Sequence, residues 1–258
     1  MASTSPRDRL VRKVSKFPKG SHPMKTDDLR ELAAHITAPM RTTGGRAFLE
    51  IIPPTLALLA TGKPASPEEI AATSAKSPEE VRAALERFPS AEWDEQGRVV
   101  GLGLTLQLTP HRLELEDRTL FAWCALDALL FPILLGRPAS IESPCRGTGE
   151  PVYIEVTPAG IEVVEPPSAV VSIVVARDLA NFRRVSCNNT HFFRSRDGAS
   201  RWLERHPEAT ILPVEDAFRL GRLIAEGLLD ISRSAEPADA ERNEPAEEKS
   251  DVDGGGAR

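Results

Sequence analysis

The sequence predicts an α+β fold, with an N-terminal winged-helix-like block followed by a β-sheet core covered by helices. Three observations carry this expectation. Helical patterns with two serine-capped starts precede an alternating, β-branched run that ends at Leu108. Three more alternating runs lie between Pro151 and Ala176, and an amphipathic helical stretch from Val214 to Leu229 closes the patterned region.

The first residues, 1–27, carry Arg7, Arg9, Arg12, Lys13, Lys16, Lys19 and Lys25 among serines and prolines, with no apolar periodicity. Such a segment cannot repay its ordering entropy and is expected to be disordered, as is the acidic, Ala- and Gly-containing end, 233–258. A helix is expected to begin near Asp28, and Ala47 to Ile52 leads into Leu56 to Leu59 at helical spacing. Pro53 and Pro54 lack backbone N–H groups, so they are expected to break or restart that helix. Two capping boxes follow, Ser66-Pro67-Glu68-Glu69 and Ser77-Pro78-Glu79-Glu80, each with an N-cap serine, proline at the first helical position and glutamate three residues after the cap. Arg98 to Leu108 reads as a strand, and Thr109-Pro110-His111 turns into a second one, Arg112 to Glu116. Residues 28–108 therefore form the winged-helix-like domain and 109–232 the core. Within the core, Pro151–Thr157, Gly160–Glu165 and Ala169–Ala176 read as strands, and Asp197–Arg205 and Val214–Leu229 as helices. There is no internal repeat.

Charge and composition exclude several classes. A formal net charge of −6 argues against a broad basic surface, and the second capped helix, the one a winged helix would lay in a DNA groove, holds Glu79, Glu80 and Glu86 against Arg82 and Arg87. No nucleic-acid partner is expected. The longest apolar run, Leu120 to Gly136, contains Asp127 and Pro132 and is too short and too costly to span a bilayer, so it reads as a buried core segment. No apolar leader follows Met1, which points to the cytoplasm. Three cysteines with neither a CxxC pair nor zinc-ligand Cys/His spacing suggest free thiols in a reducing compartment.

The chemistry concentrates in Leu120-Phe121-Ala122-Trp123-Cys124-Ala125-Leu126-Asp127, where Asp127 is the one charged residue in a run suited to burial. On a helix Cys124 and Asp127 stand at i and i+3, with Cβ atoms roughly 5–6 Å apart on one face. Burial raises a carboxyl pKa, so Asp127 is expected to hold and deliver a proton at neutral pH. Each residue also has a plainer reading, Cys124 as a small core hydrophobe and Asp127 as a helix cap or partner of a buried arginine. Cys187 lies in a polar stretch suited to a loop, and Cys145 in a turn-rich one. Spacing alone leaves open which two of the three thiols converge.

On these motifs the chain resembles the organomercurial (alkylmercury) lyase family. The resemblance runs from about Leu56 to Leu229 and rests on Asp94 to Thr105, Phe121-Ala122-Trp123-Cys124-Ala125-Leu126-Asp127, Phe131-Pro132, Thr148-Gly149 and His191-Phe192-Phe193. It implies that Cys124, Asp127 and Cys187 form the catalytic set and that Cys145 is structural. Many family members carry a second cysteine directly after the one matching Cys187, where this chain has Asn188. His191, Trp123 and Phe192 are assigned no role. Mercury is a soft metal and thiolates are the soft ligands of proteins, which agrees with the resemblance. The implied reaction begins with attack by Cys124, whose proton passes to Asp127. Cys187 then adds to mercury and Asp127 protonates carbon. The products are a hydrocarbon and Hg(II) held by Cys124, Cys187 and, more weakly, an Asp127 oxygen. No cofactor is needed, but external thiols are expected to release the metal, with mercuric reductase as a candidate recipient, and the enzyme is expected to be a monomer. Two other classes compete. A thiol redox protein would reduce insulin, and a metal-sensing regulator would bind DNA in a salt-dependent manner.

Overall fold

The computed structural model describes residues 24–41 and 45–233. The regions expected to be disordered therefore fall largely outside the described residues. Helix α1 spans Thr26–Thr37, and a 3-10 turn, Ala38–Arg41, follows it. Met24, just before α1, is buried, and its backbone N–H donates to Asp216 Oδ2 at 2.7 Å.

Helix α2 runs unbroken over Gly45–Leu59 with Pro53 and Pro54 inside it, contrary to the expected break. Two adjacent prolines forfeit two helical hydrogen bonds. The loss is tolerated because Leu49, Ile51, Ile52, Leu56 and Leu59 are buried on both sides of it, so packing holds what the backbone does not. Helices α3 (Pro67–Ala72) and α4 (Pro78–Glu86) begin at the two serines read as caps. Both capping boxes are closed, Glu69 N–H donating to Ser66 Oγ at 3.1 Å and Glu80 N–H to Ser77 Oγ at 3.3 Å.

Strands β1 (Glu92–Trp93), β2 (Val99–Leu102), β3 (Leu104–Thr105), β4 (His111–Leu115), β5 (Arg118–Ala122), β6 (Ala139–Pro144), β7 (Pro151–Val156) and β8 (Ile161–Glu165) form one antiparallel sheet in the order β1-β2-β3-β5-β4-β6-β7-β8. The single strand expected over Arg98–Leu108 is in fact a tight hairpin. Gly103, with φ +83°, reverses the chain between β2 and β3, a conformation that favours glycine. Alternation along β7 buries Val152, Ile154 and Val156 and turns Pro151, Tyr153 and Glu155 outward. A smaller sheet, β10-β9-β11, is built from β9 (Val170–Ile173), β10 (Phe192–Phe193) and β11 (Thr210–Pro213).

Helix α5 (Ala125–Leu135), apolar all round except for Asp127 in its first turn, packs between the large sheet and the long C-terminal helix α8, Val214–Arg233. Between β9 and β11 lie α6 (Phe182–Val185), a 3-10 turn at Cys187–Asn189, a second at Asp197–Ala199 and α7, Ser200–Arg205. The helix expected over Asp197–Arg205 is thus split. Among the described residues no helix is long and apolar enough to cross a membrane.

Candidate active site

The segment Leu120 to Asp127 is helical only from Ala125 onward. Strand β5 carries it to Ala122, and Cys124 is the N-cap of α5 with extended backbone, φ −151° and ψ 169°. Its Sγ accepts from Asp127 N–H at 3.4 Å. The i, i+3 relation still brings the thiol and the carboxyl together, but as a cap across the first turn, where backbone N–H groups face outward. Trp123 N–H donates to Gly103 O at 2.8 Å, so the β2–β3 turn holds the strand end that presents Cys124.

Cys187 arrives from the other side, at the start of the 3-10 turn that follows α6. Its neighbours are fixed to the chain just past β9: Ser186 Oγ donates to Val174 O at 2.7 Å and accepts from Ala176 N–H at 2.9 Å. Thr190 Oγ1 donates to Ser186 O at 3.0 Å, and Ala125 N–H donates to Thr190 O at 3.1 Å, which ties this turn to the start of α5. As a result Cys124 Sγ, Cys187 Sγ and an Asp127 carboxyl oxygen all lie within 4.8 Å of one another. Both thiols are buried. Asp127 is half-buried as a residue, yet its Oδ2 is inaccessible and has no hydrogen-bond partner.

The cluster forms one wall of a cavity of about 90 Å³ whose other walls are apolar, among them Ile36, Phe48, Phe88, Leu130 and Ile224. Burial pushes the Cys124 thiol well up, helped by its hydrogen bond with Cys187 and the Asp127 charge. The Cys124 hydrogen bond favours ionisation of Cys187, but burial and the Asp127 charge outweigh it and leave that thiol raised too. Burial lifts Asp127 to about 6, against hydrogen bonds from both thiols and the Arg183 charge, which pull it down. Near pH 7 the resting site therefore holds its protons mainly on sulfur, and Asp127 is mostly an acceptor. The shift has the direction that the sequence-based reading of Asp127 expects.

Cys145 does not join the cluster. It is buried and accepts from Arg194 N–H at 3.4 Å. Burial opposes its ionisation, but the Thr148 hydroxyl and the N–H groups of Arg194, Thr148 and Gly147 hold the thiol below the usual range. Asn188 is exposed and Trp123 lines the cavity, whereas His191 packs edge-on against Phe193 and Trp202, and Phe192 against His111. One group near the cluster escaped sequence reasoning. Arg183 lies one helical turn before Cys187, 4.1 Å from the centroid of the Trp123 ring, and pairs with Glu92 of β1 at 2.7 Å. Only the four-residue spacing to Cys187 hinted at it.

Fold and site together define an α+β protein with a paired-thiol, single-carboxyl centre suited to a soft metal. The model of the alkylmercury lyase family matches residues 104–226, and that of the helix-turn-helix domain of alkylmercury lyase matches residues 31–103. The chain is 54% identical over 169 residues to an alkylmercury lyase of Staphylococcus epidermidis, covering 66% of this chain and 78% of the relative. It is 49% identical over 176 residues to that of Streptomyces lividans (68% and 82%) and 41% identical over 185 residues to that of Pseudomonas putida (72% and 84%). The chain belongs to the alkylmercury lyase family. Its fold is also that of the solved structure described as the mercury-bound form of MerB2, with a TM-score of 0.66 at 24% identity, covering 78% of this chain and 99% of that one.

Proposed function

We propose that the protein is an organomercurial lyase that cleaves the carbon–mercury bond by protonolysis, giving a hydrocarbon and Hg(II), in organomercury detoxification. The observation that carries this reading is the convergence of Cys124, Cys187 and Asp127 within 4.8 Å beside an apolar cavity.

The reaction follows from the proton inventory of the site. The Cys124 thiol attacks R–Hg–X, its proton passes to Asp127, and X leaves as an anion. Cys187 then gives its proton to the expelled X⁻, which departs as HX, and forms the second sulfur–mercury bond, which loads electron density onto the metal and gives the bonded carbon carbanion character. Asp127 delivers its proton to that carbon and the carbon–mercury bond breaks. Of the two thiol protons, one ends in R–H and the other leaves with X. Hg(II) remains on two sulfurs, with the Asp127 carboxylate as a weaker third ligand. External low-molecular-weight thiols remove it, and a mercuric reductase is the partner whose chemistry accepts it. The protein needs no cofactor and works as a cytoplasmic monomer.

We further propose a division of the chain into a winged-helix-like domain, 28–108, and a catalytic core, 109–232. The separate family matches on 31–103 and 104–226 support it. The test is incubation of purified protein with methylmercury and excess thiol, with methane followed by gas chromatography. A cavity of about 90 Å³ favours a methyl substrate first, since a benzene ring occupies a cavity of about 150 Å³. Stoichiometric or catalytic methane is the expected result, and no hydrocarbon from either methylmercury or phenylmercury overturns the reading.

A further inference from the structure

Glu92 belongs to β1, at the edge of the large sheet farthest from the core strands, yet its carboxylate is only 13% exposed. Burying a carboxylate is costly unless it is paired and hydrogen-bonded, and Glu92 is both. One oxygen, Oε1, takes Nη1 of Arg183 at 2.7 Å, and the other accepts from the Thr105 hydroxyl. The space for it is made by Gly101 on β2, where a Cβ would collide with Oε2. Two residues of the winged-helix-like block, Thr105 and Gly101, thus hold the Glu92 carboxylate in place, and that carboxylate holds an arginine of the catalytic core.

Arg183 is the only element of this arrangement that reaches the reacting groups. Its guanidinium lies over the Trp123 ring, next to Cys124 in the chain, and its charge is felt by both Asp127 and Cys187. The charged or titratable groups facing Asp127 are Cys124 from its own helix, Cys187 from the 3-10 turn and Arg183 from α6. The cavity walls add no further charge. Asp127 Oδ2 has no hydrogen-bond partner in this site. A guanidinium released from Glu92 would be drawn to that unsatisfied oxygen, and a bidentate Arg–Asp pair would occupy the carboxyl that has to carry the proton.

We propose that Glu92 is a positioning residue for carbon–mercury cleavage: it pins the Arg183 guanidinium on the Trp123 face, so that the cation lends its field to the site without engaging Asp127. Thr105 and Gly101 are its supports. The inference rests on the lyase reading above and assigns the winged-helix-like block a part in the chemistry.

The test is a double-substitution cycle on Glu92→Gln and Arg183→Gln, read by single-turnover kinetics with phenylmercury. Adduct formation is followed by mass spectrometry and benzene release by gas chromatography, with melting curves recorded for every variant. Glu92→Gln is expected to form the adduct at the wild-type rate and to release benzene at least tenfold more slowly, while Glu92→Asp recovers part of the loss. In the Arg183→Gln background the same Glu92 substitution is expected to add nothing, because its effect runs through that cation. If Glu92→Gln cleaves at the wild-type rate, or costs the same factor with and without Arg183, the proposal is overturned. A lowered melting point with capture and cleavage slowed alike would show a purely structural role and overturn it as well. Absence of hydrocarbon from the wild type with both phenylmercury and methylmercury would instead strike the lyase reading itself, and wild-type cleavage of methylmercury alone moves the same cycle to that substrate, read by methane release.

Discussion

Asp127 sits where two demands conflict. Burial raises its pKa to about 6, so the folded protein binds this proton more tightly than the unfolded chain, whose aspartate titrates near 3.8. The stability this contributes is full below about pH 4 and is lost as pH rises through about 6. Asp127→Asn is therefore expected to be more stable than the wild type at pH 8, by roughly 1–3 kcal/mol, and no more stable at pH 4. Urea midpoints at the two pH values check this, and a gain of equal size at both would show that the carboxyl is not what burial penalises. The same variant should capture phenylmercury and fail to cleave it, with benzene release down by roughly 10²–10⁴-fold, because an amide carries no useful proton. Mass spectrometry should then find the intact phenylmercury adduct where the wild type holds bare mercury. For the thiols, Cys124→Ser and Cys187→Ser should each abolish turnover, whereas Cys145→Ser, whose sulfur accepts from the Arg194 N–H outside the cluster, should keep turnover and lower the melting temperature. Near-normal turnover in Cys187→Ser would remove the two-thiolate mechanism.

Among the elements, the turn at Gly103 bears directly on the site. It reverses the chain between β2 and β3, its carbonyl holds Trp123 N–H, and a Cβ there would lie 2.8 Å from Phe131 Cζ. Gly103→Ala should cost about 1–3 kcal/mol, from the unfavourable positive φ together with the clash, and should slow turnover because the strand end presenting Cys124 shifts. Thermal melting and hydrocarbon release on the same preparation would check both, and an alanine variant with wild-type stability and rate would count against this account of the turn. The capped helices α3 and α4 were fully legible, since a capping box is a local contract among four residues. The β2–β3 hairpin was not. Arg98 to Leu108 alternates well enough for one long strand, and the positive φ of Gly103 and the close approach of Phe131, which make glycine the residue that fits the turn, are visible only in the fold.

Across the whole molecule the two family-matched halves share one sheet. Strand β2 from the first pairs with β3 from the second, through Gly101–Thr105 and Leu102–Leu104, and α2 packs on α8. The cavity likewise takes Ile36, Phe48 and Phe88 from one half and Leu130 and Ile224 from the other. Neither half is expected to keep a native core alone. Residues 104–233 expressed by themselves should show no cooperative melting transition and release no hydrocarbon, and a folded, active fragment would refute the shared-core view.

The amino-acid sequence by itself determined whatever depends on neighbours along the chain. It specified the fold class, the helix starts at Ser66 and Ser77, the alternating strand over Pro151–Val156 and the pairing of Cys124 with Asp127, because caps, alternation and i, i+3 spacing are local. The resemblance of its motifs to a family added Cys187, sixty residues away along the chain from Asp127. Tertiary structure alone decided that the helix over Gly45–Leu59 survives two prolines, that Leu120–Ala122 is strand, and that Glu92 reaches Arg183. It also decided how far Asp127 titrates from its usual value, since burial and the two facing thiols are set by α5, β9 and the turn at Cys187 together. Packing can override a local preference, even the roughly 3 kcal/mol that each interior proline costs a helix, and a field at one carboxyl is a sum over groups that only the fold brings within reach.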